Sequence, residues 1–183
     1  ETFPEFMDAV GKRELGMDVA AQVPHGAVRT YVMGERGANN EAATPEDIEQ
    51  MAEIVRGGME AGALGFSTSR TIMHKAASGD PMPGTFAAED ELFGLGRVLG
   101  ELGKGIFELA PVGAAGEDVI GARAEMDWMR RLSAEIGRPV SFAMLQVDAE
   151  PTLWRDLLEE SQKAVAEGAQ VYPQTAGRPF GML

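Results

Sequence analysis

One order of elements recurs three times in this chain and restricts its fold more than any other feature. An amphipathic stretch ends at a glycine, a short apolar run follows, then an irregular loop, then the next amphipathic stretch. The glycines are Gly103, Gly137 and Gly168. Short apolar runs separated by helix-length connections cannot be hairpins. They are the pattern of parallel strands joined by helical crossovers, covered by apolar packing. Five segments read as such strands: residues 19–23, 63–67, 105–109, 139–144 and 169–172. The fold class is therefore α/β, with about five parallel βα units.

The helices between them carry their own signals. The clearest spans residues 45–61. Thr44 is a good N-cap, Pro45 suits the first helical position, and Asp47 lies near the positive end. Ile48, Met51, Ile54 and Val55 recur at helical spacing, and Gly62 ends the run. Gly57 and Gly58 inside it cost roughly 1 kcal/mol each against Ala, and close packing on a sheet is the expected compensation. Further helices are expected at about 88–102, 119–136 and 151–167. Trp128, Trp154 and most of the 11 methionines read as packing residues. Residues 34–44 and 70–86 fit neither helix nor strand, and loops this long are commonly functional or disordered.

A chain of 183 residues is long enough for one domain. A closed barrel of parallel strands needs eight. Five strands leave two options, an open doubly wound sheet or a piece of a barrel. The opening Thr2-Phe3-Pro4-Glu5 reads as the first turn of a helix, as expected of a chain taken from something longer.

Composition narrows the chemistry. The absence of cysteine excludes a thiolate zinc site, a disulfide scaffold and a cysteine nucleophile within this sequence. A net charge of −13 argues against a surface that tracks nucleic-acid phosphates. No apolar run approaches the roughly 20 residues of a spanning helix, so no membrane partner is expected, and a cytoplasmic location is.

In either architecture function sits at the C-terminal ends of the strands. His25 follows the first strand and reads equally as a ligand, base or substrate donor and as a structural histidine. His74, beside Lys75 in the 70–86 loop, reads as a lid residue over a substrate or as an exposed loop histidine. Arg70 and Arg178 are candidates to hold a carboxylate bidentately, or members of surface ion pairs. Glu108, a carboxylate in an apolar strand, is either a general base or metal ligand or a partner of a Lys or Arg. Gly65-Phe66-Ser67-Thr68-Ser69 lacks the final glycine of a nucleophile elbow. No phosphate-cradling glycine loop is present.

The loops carry a resemblance. Val23-Pro24-His25-Gly26-Ala27-Val28-Arg29, followed by Tyr31-Val32-Met33-Gly34, resembles the GH(S/G)xLRxYVMG segment of the N-acyl-D-amino-acid deacylases, or D-aminoacylases, of the amidohydrolase superfamily. Ala61-Gly62-Ala63-Leu64-Gly65-Phe66-Ser67-Thr68 resembles their ALxxGAxGFSTG strand. Pro83-Gly84-Thr85 resembles their PPG, and Glu91-Leu92 their EEL. The order holds over nearly the whole chain.

The resemblance implies the central part of a metal-dependent TIM (β/α)8 barrel, with residues 1–183 as a single segment of it. It implies hydrolysis of an N-acyl amide bond, with zinc as cofactor and a small N-acyl amino acid as partner. The family's H-x-H pair, cysteine ligand and late aspartate would lie outside this segment. Where members place two histidine ligands, this chain has Ala110 and Met144, and Gln146 replaces a lysine. The expected roles of His25, Arg70, His74 and Arg178 are then in substrate binding. The alternative is a noncatalytic or degenerate barrel segment that binds a ligand or serves assembly. Exposed strand edges of a part-barrel predict self-association.

Overall fold

Three of the helices begin on a side-chain cap. In the computed structural model, which describes residues 2–177, the elements run α1 (Phe3–Gly11), β1 (Gln22–Pro24), α2 (His25–Met33), α3 (Glu35–Ala38), α4 (Pro45–Glu60), β2 (Gly65–Ser69), α5 (Glu89–Leu102), β3 (Ile106–Ala110), α6 (Val119–Ile136), β4 (Val140–Ala143), α7 (Leu153–Ala166) and β5 (Val171–Gln174). Helix α4 opens with a capping box. Thr44 Oγ1 accepts from the Asp47 amide at 3.2 Å, and the Asp47 carboxylate accepts from the Thr44 amide at 2.9 Å. Helix α1 starts the same way, with Thr2 and Glu5.

Glycines end the helices as the sequence indicates, and they also move the strands. After α4, α5 and α7 the amides of Ala63, Lys104 and Ala169 reach back five residues to the carbonyls of Gly58, Leu99 and Ala164. Gly62, Gly103 and Gly168 supply the positive φ these closures require. The residue just past each of these glycines is thus spent on the turn. Strands begin one to two residues later than their apolar runs suggest at β2 to β5, and β1 begins three residues later. Two helices stand where none was expected. Residues 25–33 form α2, and the 34–44 stretch contains the single turn α3.

All five strands are parallel, in the order β1-β2-β3-β4-β5. This order decides between the two architectures. A doubly wound sheet reverses direction at a switch point and carries helices on both faces. Here every crossover steps to the next strand in one direction, so right-handed connections put the helices on one face. Helices α4, α5, α6 and α7 pack in succession. The sheet is an arc of a barrel.

Its two faces differ sharply. Val23, Phe66, Phe107, Val140 and Val171 lie in one register row, are buried, and join the core with the helices. The Phe66 and Phe107 rings stand 5.2 Å apart, and Phe107 meets Trp128 edge-on at 6.1 Å. The next row, Pro24, Ser67, Glu108, Ser141 and Tyr172, faces the other way by strand alternation. This second face is the barrel's interior side, and it is polar.

Glycines mark the closest approaches. A Cβ on Gly65 would overlap the Ile106 backbone of the neighbouring strand. Gly58 lies against Val23 and Phe3, which is the compensation expected for a glycine inside α4. Gly57 corrects that expectation, because nothing lies within 4 Å of where its Cβ would be. The two predict opposite outcomes in urea unfolding. Gly65→Ala destabilises by about 1–3 kcal/mol or more, whereas Gly57→Ala stabilises by about 0.5–1 kcal/mol.

Candidate functional site

Strand β1 passes directly into α2, and His25 is the first residue of that helix. Its ring is 1% exposed. Nδ1 lies 2.8 Å from Thr68 Oγ1, and Nε2 lies 2.8 Å from Glu91 Oε1. One helical turn on, Arg29 donates from Nε to the same Glu91 oxygen at 2.8 Å. The rest of its guanidinium donates to the carbonyls of Gly37, at 2.9 Å, and Glu41. A buried carboxylate thus ties together α2, β2, α5 and the 34–44 stretch.

Burial by itself would raise the Glu91 carboxyl. The hydrogen bonds and positive charge of His25 and Arg29 outweigh burial and hold it below its ordinary value. With the carboxylate ionised, His25 Nε2 is the donor. Both ring nitrogens are therefore engaged by protein.

The two long loops close on this network. Gly84, at φ +96°, lies flat against the His25 ring, where a Cβ would come within 2.7 Å of Nδ1. Gly26 also faces Pro83 closely, with a would-be Cβ 3.1 Å from its carbonyl oxygen. Asn40, the one non-glycine residue with positive φ among the described residues, accepts from the Gly84 amide at 2.8 Å. The His25-Gly26 and Pro83-Gly84 motifs are thus two halves of one contact, made where bulk is not tolerated.

Beside this contact a cleft of about 830 Å³ runs along the inner face of β1 to β3 to their C-terminal ends. Ser67, Ser69, His74, Lys75, Gln22 and Glu108 line it, and His25 forms part of its wall. Ser69 Oγ lies 2.7 Å from His74 Nδ1, so the strand end and the loop are joined at the rim. On its floor the Glu108 carboxylate accepts from Gln22 Nε2. Of the two partners left open for Glu108, the cationic one is not found. No Lys, Arg or His among the described residues pairs with it.

The other residues singled out in the sequence lie elsewhere. Arg70 turns to the helix layer. Its Nε donates to both oxygens of Glu125 at 3.0 and 2.8 Å, Nη1 donates to the Ala87 carbonyl at 2.8 Å, and the group lies 5.7 Å from the Trp128 ring centre. Arg178 is outside the described residues. Ala110 ends β3 in the cleft wall, while Met144 is buried in the core, in a side-chain cluster with Met129, Leu153 and Leu157. Among the described residues no three His, Asp or Glu side chains are grouped to hold a metal ion. With an alanine and a buried methionine at the two positions, these residues do not fit a zinc site.

Sequence reasoning passed over the roles of Glu91, Arg29 and Gln22, and weighed Ser69 only as part of a nucleophile elbow that it does not complete. Glu91 and Arg29 were visible as charged members of the motifs quoted above. Nothing in the sequence marks Gln22.

Comparison with known proteins agrees with this fold. A family model described as "Amidohydrolase family" matches residues 13–179. The D-aminoacylase of Alcaligenes xylosoxydans xylosoxydans is 26% identical over 182 residues, which are 97% of this chain and 34% of that protein. The crystal structure of N-acyl-D-glutamate deacylase from Bordetella bronchiseptica, complexed with zinc and a phosphonate mimic of the tetrahedral intermediate, superposes with a TM-score of 0.77 at 21% identity. It covers 97% of this chain and 34% of its own. A D-aminoacylase structure concerned with a binuclear metal centre gives 0.77 at 20% identity, with the same coverage. L-Hydantoinase from Arthrobacter aurescens gives 0.56 at 14% identity, covering 96% of this chain and 36% of its own. The chain spans about a third of the length of these relatives.

The buried network makes a prediction with a definite sign. A carboxyl held low by folding contributes stability in full above its ordinary value of 4.5, and that contribution is lost as pH falls through the lower folded value. Unfolding midpoints measured from pH 7 to pH 3 will show this loss. Glu91→Gln removes that part of the pH dependence and costs about 3–5 kcal/mol at pH 7, because Arg29 keeps a buried charge without its partner.

Proposed function

The chain belongs to the amidohydrolase family, and from that premise we propose that residues 1–183 are the central part of a barrel hydrolase that cleaves the N-acyl amide bond of an N-acyl-D-amino acid. One observation carries this reading. Parts of three D-aminoacylase-like motifs, His25-Gly26, Ser67-Thr68 and Pro83, line one cleft that reaches the C-terminal strand ends, the place where barrel enzymes act.

The reaction adds water to the amide carbonyl carbon, breaks the C–N bond and protonates the leaving amine. In the proposed division of labour His74 touches the substrate. Ser69 engages its Nδ1, leaving Nε2 to meet the ligand. His25 and Arg70 act through others. His25 holds the loop contact against which the cleft wall is built, and Arg70 anchors the start of the 70–86 loop to Glu125. The described residues offer no donor set for zinc, so every role assigned to them concerns substrate. No helix among the described residues is long and apolar enough to cross a membrane. The edges of the arc, β1 and β5, are part of the proposal as sites of self-association of these 183 residues. A strictly monomeric sedimentation profile counts against that part.

Release of free amino acid from a panel of N-acyl-D- and N-acyl-L-amino acids, followed in the intact protein, tests the main reading. The expected result is hydrolysis confined to the D series, with His74→Ala lowering kcat/KM by about tenfold or more. His25→Ala is expected to lower the unfolding midpoint. The reading fails if no N-acyl-D-amino acid is hydrolysed.

The replaced positions Ala110 and Met144 favour a second reading, a barrel that binds an N-acyl amino acid without turning it over. Calorimetric binding with no release of product supports that one.

A further inference from the structure

Glu108 occupies a place where a carboxylate is expensive. It stands mid-strand in β3, in register with Ser67 on one side and Ser141 on the other. Gln22 Nε2 donates to it, and this bond fixes the orientation of the Gln22 amide, since the reverse would set two oxygens against each other. The consequence is that Gln22 Oε1 is buried with no hydrogen-bond partner. An unpartnered buried acceptor opposes folding, so the pair is not explained by stability.

Charge gives a second argument. Among the described residues no cation neutralises Glu108, although the chain forms many ion pairs elsewhere. Among the described residues the carboxylate is not sealed away either, because it lines the cleft. Ala110 stands two residues further on the same face, about 7 Å along the strand, and both residues line the cleft. Lys75 lines the same cleft from the loop side. The cleft therefore presents an acid on its floor and a base at its rim.

We propose that Glu108, oriented by Gln22, is a subsite for a positively charged nitrogen of an organic ligand, an ammonium or a guanidinium. This rests on the reading of the cleft as an N-acyl amino acid site and makes it selective. The preferred substrate carries a basic side chain directed to Glu108, with its carboxylate toward Lys75. Substrates with acidic side chains are repelled. A neutral amide donor satisfies the hydrogen bond but not the charge, and an ionised carboxylate in a partly desolvated wall favours the cation.

Two measurements test it. In the first, the intact protein is titrated calorimetrically with n-butylguanidinium and n-butylammonium, with n-butanol as neutral control. The cations are expected to bind and the alcohol not, and Glu108→Gln is expected to weaken cation binding about tenfold or more. In the second, kcat/KM is compared for N-acetyl-D-lysine, N-acetyl-D-arginine, N-acetyl-D-norleucine and N-acetyl-D-glutamate. A basic-over-neutral preference of about tenfold that disappears in Glu108→Gln assigns the cation to the substrate's side chain.

Product inhibition by free D-amino acids that depends on Glu108, without that preference, assigns it instead to the α-ammonium, and the subsite stands. Equal cation binding by the protein and Glu108→Gln overturns the proposal. So does absent cation binding together with a lowered unfolding midpoint in Glu108→Gln, which marks a cationic partner within the protein. Glu108-dependent cation binding without any hydrolysis leaves the subsite standing and removes the proposed reaction.

Discussion

A single carboxylate oxygen, Glu91 Oε1, receives donors from both His25 and Arg29 inside the protein. Taking three ionisable groups out of water is unfavourable unless geometry and hydrogen bonds are nearly complete. Here they are. Thr68 engages the remaining ring nitrogen, and the carbonyls of Gly37 and Glu41 each accept from one of the two terminal guanidinium nitrogens. The network links a strand end, two helices and a loop that are distant in sequence. The glycine contacts at Gly26 and Gly84 depend on it, because they are shaped to the His25 ring and to the turn beneath it. Without the network neither long loop has a fixed surface to pack on, and the cleft loses a wall.

The sheet separates structure from chemistry by parity. Odd and even positions of each strand point to opposite faces. Phe66, Thr68, Phe107 and Leu109 face the helices and are buried. Ser67, Ser69, Glu108 and Ala110 face the cleft. Neighbouring residues of one strand thus have different work. Thr68 supports His25 from behind the sheet, while Ser67 and Ser69, its immediate neighbours, are presented in front.

The same parity explains what the sequence could and could not disclose. The order of helices, glycines and apolar runs is written in local chemistry, so the α/β class and the parallel strands were legible. Strand boundaries were less so, because an apolar residue such as Ala63 serves helix closure rather than the ladder. His25, His74, Arg70 and Glu108 stood out by residue type and position. Type alone does not say which side of the sheet a side chain faces, and this is why Arg70 and His74, four residues apart, end in different environments. Arg70 finds Glu125 in the helix layer, and His74 finds Ser69 at the rim. Gln22 was invisible because its importance lies in a partner 86 positions away.

Parity also distinguishes the two positions where the family resemblance expects histidine ligands. Ala110 lies on the cleft face with Glu108, so a longer side chain there would project into the cleft and cover the carboxylate. Met144 follows Val140 and Phe142 on the helix face. Its amide continues the ladder to the Gln174 carbonyl at 2.9 Å, and its side chain fills the core. An imidazole introduced at 144 with this backbone would be buried among Met129, Leu153 and Leu157, without the partner a buried polar ring requires. At 144 the backbone course suits a hydrophobic residue. At 110 a short side chain stands on the cleft face two residues beyond Glu108. The two positions therefore differ in kind, one belonging to the core and the other to the cleft.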